Sequence, residues 1–294
     1  LGVPEFGTSF FMGMLRDTKP KTLSELIRIS GLSHGTNVWL DNAQYFIKNG
    51  DCTLGTAICT RDDIMLNLIA WGVEPEHSFK IMESVRKGRG LRPDQESEMR
   101  EHGVPEWYIE SCKRIKYMFP KAHAAAYVMN AFRIAYYKIN YPLAYYAAMF
   151  SIRVTTFDYV LMGRGREIFE ANMKEIESKP EKTPKDEELL KDALIVREMY
   201  ARGIEFHKLD LFRAKAKQFS IIDGKLMPSI NSIAGLGDAV AVQIEEAAKN
   251  GPFLSKDDFR QRTKASQTLI NLFDTLGVLG DIPETNQISL FDLV

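Results

Sequence analysis

Cysteine is scarce in this chain. Cys52, Cys59 and Cys112 are the only three in 294 residues, an odd number with no CxxC pair. That argues against a disulfide scaffold and a four-cysteine zinc site, and for a reducing, cytoplasmic setting. Neither sign of charge is in excess: 38 basic against 39 acidic side chains leave a net charge of −1. Any case for binding nucleic acid must therefore rest on local charge. No basic segment followed by an apolar run opens the chain, so no secretory signal is visible. The longest apolar stretch, 122–150, is interrupted by Asn130, Arg133, Lys138 and Asn140, which excludes a membrane span. The chain starts at Leu1 rather than Met, so a piece of a longer protein is expected. No carboxylate pair stands out as a metal site. Asp62 and Asp63 read as first-turn acids of a helix, where they complement the dipole. Neither a Ser/His/Asp arrangement nor HExxH is present.

What is there is globular: 45% hydrophobic, 26% charged and long enough for about two domains. The periodicity predicts mostly helix. An amphipathic stretch covers 22–29, and the small residues of 30–36 read as a loop. Helices are expected over 41–50, 61–72, 77–86 and 94–117, the last broken at Gly103-Val104-Pro105. A long alanine-rich helix is expected over 122–140, followed by one that starts at Pro142. The charged segment 164–205 reads as two helices around an exposed turn. Asp223-Gly224 between β-favouring residues signals a hairpin. A Gly235-Leu236-Gly237 turn, a helix to Lys249 and two short helices come next. The fold class expected is mainly α: a helical region over 1–205, a small α(+β) domain over 206–280 and a tail over 281–294.

Between Glu110 and Asp158 there is no acidic residue, while Lys113, Arg114, Lys116, Lys121, Arg133, Lys138 and Arg153 contribute seven positive charges. Arg86, Lys87, Arg89 and Arg92 form a compact basic loop just upstream. Aromatics interleave, from Tyr117 and Phe119 to Tyr136 and Tyr137. Such a stretch suits a phosphate chain with a stacked base; the bland alternative is a solvated basic face over an aromatic core. Lys121 and His123 do not share a helix face, but at a helix N-terminus both can address one anion, helped by free backbone N–H groups. His123 can equally be a capping histidine, and His34 an ordinary turn residue. The pattern hydrophobic–x–Gly–hydrophobic–Gly at Ile233–Gly237 is that of a helix-hairpin-helix turn, whose amides hold DNA phosphates, or of an ordinary glycine connection. Gln287-Ile288-Ser289-Leu290-Phe291 is a short apolar plug for a partner's pocket, or a terminus docked on its own domain.

Four segments carry a wider resemblance: residues 2–8 (GVPEFGT); residues 29–36 (ISGLSHGT) with Val38-Trp39 and Asn42-Ala43-Gln44; Arg61-Asp62-Asp63-Ile64; and residues 119–127 (FPKAHAAAY). They resemble the C-family bacterial replicative DNA polymerases, and within them the PolC branch, over nearly the whole chain. The resemblance implies most of the fingers, then the duplex-binding domain, then a tail. It implies dNTP contacts from Ser33, His34, Arg61, Lys87, Arg89, Lys121 and His123, with Arg61, Lys121 and His123 on the triphosphate and Tyr117 or Tyr127 packed on the nascent base pair. It implies DNA contacts from Gly235, Leu236 and Gly237. It implies sliding-clamp (beta subunit) binding through Gln287–Phe291, where Ile288 replaces the usual Leu. Primer–template DNA, other replisome subunits and the bacterial nucleoid follow as partners and place; a membrane does not. The family's catalytic aspartates lie in the palm and hold two Mg²⁺; no matching segment is found, so no catalytic residue and no metal are expected in this chain, and it should not polymerise alone. A non-catalytic DNA-binding and clamp-tethering module is the alternative. A repair nuclease would need clustered carboxylates.

Overall fold

The computed structural model describes residues 1–285. They are mainly helical, with one two-stranded sheet. Two compact units emerge, Val3–Ala135 and Tyr136 onward together with Leu1–Gly2. The division falls inside the long helix, whereas the composition shift suggested 205/206; residues 136–205 pack with the C-terminal part of the chain.

The first unit holds α1 (Ser9–Thr18), α2 (Leu23–His34), α3 (Gln44–Asn49), α4 (Arg61–Ala70), α5 (Pro75–Arg86), α6 (Pro93–Glu101), α7 (Glu106–Arg114) and the start of α8 (Lys121–Asn140). Its core is built by Phe11, Ile29, Leu32, Ile58, Ile64, Leu68, Val85, Tyr108 and Ile109, all fully buried. Each such aliphatic side chain contributes about 1.5–3 kcal/mol through burial. Helix starts follow their capping chemistry. Thr22 Oγ1 accepts from Glu25 N at 3.2 Å while the Glu25 carboxylate accepts from Thr22 N at 2.9 Å. Gly72, at φ +93°, ends the α4 turn.

Two local expectations are corrected. The segment expected to be a loop, 30–36, is helical through His34. Gly31 is small because a Cβ there would meet the Cys59 carbonyl oxygen at 2.5 Å; close packing, not a turn, selects it. The helix expected from 41 starts at Gln44. Before it Leu40 is extended and Asp41 has φ +56°. Asn42 is buried, donates to Asn37 O at 2.8 Å and Ser111 O at 3.2 Å, and accepts from Ser111 Oγ at 2.7 Å. Satisfying a buried amide outweighs helix continuity at that point.

The second unit adds α9 (Pro142–Ile152), α10 (Tyr159–Met162), α11 (Arg166–Glu177), α12 (Pro184–Ala201), β1 (Ser220–Ile222), β2 (Lys225–Met227), α13 (Asp238–Lys249), α14 (Lys256–Thr263) and α15 (Gln267–Thr275). The exposed turn 178–183 separates α11 from α12. β1 and β2 pair antiparallel, Ser220 opposite Met227 and Ile222 opposite Lys225. Asp223 and Gly224 both have positive φ, 51° and 74°, as a two-residue primed turn requires. Phe150 lies 5.3–5.4 Å from Phe157, Phe206 and Phe219, ring centre to ring centre. A separate cluster of Leu236, Ala241, Ile244, Phe259, Ile270 and Phe273 fixes α13, α14 and α15 around the glycine turn.

Candidate functional site

The extended segment Lys116–Lys121 gathers the residues singled out in the first unit. Lys116 N donates to Thr36 O at 3.0 Å and Thr36 N donates to Tyr117 O at 2.9 Å, which ties it to the end of α2. Met118 N donates to Arg86 O at 3.1 Å, which ties it to the end of α5. Arg61 N donates to Phe119 O at 3.2 Å, which ties it to the start of α4. The last tie is a side chain: Asp62 Oδ2 accepts from Lys121 N, the first amide of α8, at 2.7 Å. Gly88, at φ +70°, completes the assembly. A Cβ there would meet Lys116 O at 2.3 Å, so the 87–89 loop lies directly against this segment.

Five rings form a platform around α8's first turns. His123 stacks on Phe119 at 4.7 Å with 21° between planes and lies 4.6 Å from Tyr127. His34 meets His123 edge-on at 5.2 Å and Tyr127 at 5.0 Å. Tyr117 packs edge-on against Phe119 at 5.0 Å. His34 Nδ1 sits 2.6 Å from Ser30 O, so Nδ1 carries the proton and donates. Ser33 Oγ donates to the same carbonyl at 2.9 Å. His34 Nε2 is thereby left open, 3.8 Å from Glu5 Oε2. Ser33 thus supports His34 by sharing its partner. Glu5 escaped the sequence reading; its signal was an acid at φ +62° in the matched opening motif, and only the φ comes from structure.

The basic residues sort into engaged and free. Glu83 holds both Arg86 and Lys87, the latter at 2.8 Å, and their proximity keeps its carboxyl well below the usual range, at about 2. Arg92 is paired with Asp94, Lys113 with Glu110 and Lys138 with Glu198. Arg114 donates to Asp41 O and lies over the rings of Tyr45 and Phe46. Among the described residues, Arg61, Arg89 and Lys121 have no ion-pair partner, and neither do Lys116, Arg133 and Arg153; Arg61, Arg89 and Lys121 are the ones that belong to the motifs singled out above. Arg61 and Lys121 are each the first residue of a helix, brought together by the ties at Phe119 and Asp62. Of the lysines and arginines among the proposed nucleotide contacts, Lys87 is therefore the one held by an acid. A free amide at the first position of α8 was also expected; the Asp62 carboxylate occupies it.

The second unit places the glycine turn at the start of α13. Leu236 is buried, its N donates to Ile233 O at 3.1 Å, and it anchors the turn. Gly235 has φ +81° and Gly237 is the residue before the helix; a Cβ on either would meet nothing within 4 Å, so the backbone faces open space. The first-turn acid Asp238 is offset by Lys217 at 2.7 Å and by Asn231 Nδ2 at 3.0 Å. Beyond α15 the chain returns to α14: Lys256 N donates to Pro283 O at 2.9 Å and Asp257 N to Glu284 O at 3.0 Å. Gln287, Ile288, Ser289, Leu290 and Phe291 lie outside the described residues. Among the described residues no group of His, Cys, Asp and Glu could hold a metal ion, and no helix is long and apolar enough to cross a membrane.

Residues 1–106 match the family described as the bacterial DNA polymerase III alpha subunit finger domain, and residues 203–287 match a helix-hairpin-helix motif. The chain is 54% identical over 293 residues to the DNA polymerase III PolC-type of Listeria monocytogenes. It is 52% identical over 292 residues to that of Bacillus cereus and 51% identical over 292 residues to that of Caldanaerobacter subterraneus. Each alignment covers 99% of this chain but 20–21% of the relative, so the chain spans about a fifth of the length of the curated relatives it matches.

Proposed function

Because the chain belongs to the PolC-type DNA polymerase III family, as a segment of it, we propose that it delivers the incoming dNTP and grips the primer–template within a bacterial replicative DNA polymerase. The observation that carries this is the assembly of His34, Arg61, the 87–89 loop, Lys121 and His123 around one extended segment. Arg61, Lys121 and Arg89 supply unpaired positive charge for a triphosphate, and the ring platform supplies flat apolar surface beside it. Cations there offset the negative charge that grows on the phosphates in the transition state. Lys87 joins them only by leaving Glu83. The Mg²⁺ ions of the family would supply the nucleotidyl-transfer chemistry; the described residues offer no cluster of carboxylates that fits them. In this reading the Gly235–Gly237 amides hold duplex phosphates without reading sequence. Gln287–Phe291 engages the sliding clamp, other replisome subunits surround the polymerase, and the nucleoid is its place of work.

The test is substitution of both Arg61 and Lys121 by Ala in the full-length polymerase. The dNTP KM is expected to rise at least tenfold while the duplex Kd stays within about twofold. An unchanged dNTP KM would instead favour a DNA-binding and clamp-tethering module. Changing Leu290 and Phe291 to Ala should remove clamp-dependent processivity and leave distributive synthesis intact; retained processivity would exclude the tail as the tether.

A further inference from the structure

Arg61 and Lys121 come from helices far apart in the chain, and neither side chain is held by an ion pair among the described residues. What fixes their spacing is the backbone beneath them. The first turn of α4 grips the start of α8 at two points on either side of Pro120. Arg61 N donates to Phe119 O at 3.2 Å, and Asp62 Oδ2 accepts from Lys121 N at 2.7 Å. Pro120 has no N–H of its own, and its carbonyl turns inward to accept from His123 N at 3.1 Å and Ala124 N at 3.3 Å. Among the described residues, the Asp62 carboxylate is thus the one side chain that ties α4 to the first amide of α8. Its neighbour Asp63 is engaged elsewhere: it accepts from Cys59 N and Thr60 N, both at 2.9 Å, and pairs with Arg28 at 3.5 Å.

We propose that Asp62 is a positioning residue for the nucleotide: by capping α8 from α4 it sets the distance between the Arg61 and Lys121 cations, without touching the triphosphate itself. The proposal rests on the reading of Arg61 and Lys121 as triphosphate contacts. A carboxylate cap on a helix amide is a charge-assisted bond, and losing it lets the α8 start drift relative to α4. Small displacements of positioned groups cost rate steeply.

The experiment uses the full-length polymerase and compares Asp62→Ala with Asp62→Asn. Asn keeps an oxygen that accepts from Lys121 N; Ala does not. Asp62→Ala is expected to raise the dNTP KM roughly tenfold, the size of one charge-assisted hydrogen bond, with duplex Kd unchanged. Asp62→Asn is expected to restore most of the loss. Adding Asp62→Ala to the Arg61→Ala, Lys121→Ala double variant is expected to change KM by less than about twofold, since no pair remains to be spaced. An Asp62→Ala KM equal to wild type, or equal defects in Asn and Ala, overturns the positioning role. So does a full further loss in the double-variant background. If Arg61→Ala, Lys121→Ala leaves KM unchanged, the triphosphate reading has failed, and that result is separate from the Asp62 comparison. Should Asp62→Ala lower thermal stability enough to obscure kinetics, Asp62→Glu decides. A longer side chain that still caps but shifts α8 should keep stability and still raise KM; an unaltered KM counts against the proposal.

Discussion

Gly31 shows how one missing side chain sets a helix-to-segment distance. Its Cβ would meet the Cys59 carbonyl and the Thr60 methyl. Gly31→Ala is expected to destabilise the chain by about 1–3 kcal/mol, the usual penalty for overpacking, read as a lower midpoint in urea. The cysteines behave as core residues. Burial pushes the Cys52 thiol up to about 11 and the Cys59 and Cys112 thiols higher still. Because the thiolate is the reactive form, iodoacetamide at pH 8 should label all three slowly in the folded chain and quickly in denaturant. Glu83 gives a pH prediction. Arg86 and Lys87 lower its carboxyl from 4.5 to about 2 in the folded state. The stabilisation is fully present above pH 4.5 and is lost as pH falls toward 2. Glu83→Gln should flatten the melting temperature against pH within that window and leave its slope elsewhere unaltered.

At the level of elements, legibility tracked how local the deciding physics was. α8, the α11–α12 pair and the Asp223-Gly224 hairpin were readable because propensity, capping and turn chemistry agree within a few residues. Gly224→Ala, forced into left-handed backbone, should cost about 1–2 kcal/mol, again read by urea unfolding. The end of α2 was misread because the composition of 30–36 signals a turn, while its cause, the approach of Cys59, lies about 30 residues away in sequence. The irregular turn before α3 was misread for the same reason: Asn42 answers to Ser111, 69 residues on. For the candidate site, residue types and motifs were visible in sequence. Which cations are free was legible only in part: Glu83 lies three and four residues before Arg86 and Lys87 on one helix, a spacing that sequence can pair, whereas Glu198 meets Lys138 from far along the chain.

Across the whole molecule, the near-neutral net charge conceals a sorted distribution. In the first unit Arg86, Lys87, Arg92 and Lys113 are paired with nearby acids, and Arg61, Arg89 and Lys121, without such partners among the described residues, flank the Lys116–Lys121 segment. The glycine turn presents bare backbone in the second unit. Duplex binding through such backbone and basic side chains releases counterions. The affinity of the chain for blunt duplex DNA should therefore fall steeply between about 50 and 200 mM salt, measured by fluorescence anisotropy; a flat response would remove phosphate gripping from the account.

The seam along Lys116–Lys121 is sewn almost entirely by main-chain atoms. Its ties to Thr36, Arg86 and Arg61 are carbonyl–amide bonds, indifferent to which side chains flank them. A lineage in which about half the positions have drifted can therefore swap the outer residues of those helices freely while the junction keeps its register. When α8 of a relative is grafted onto this chain, the one side-chain tie of that seam that the host must supply from α4 is the carboxylate at position 62.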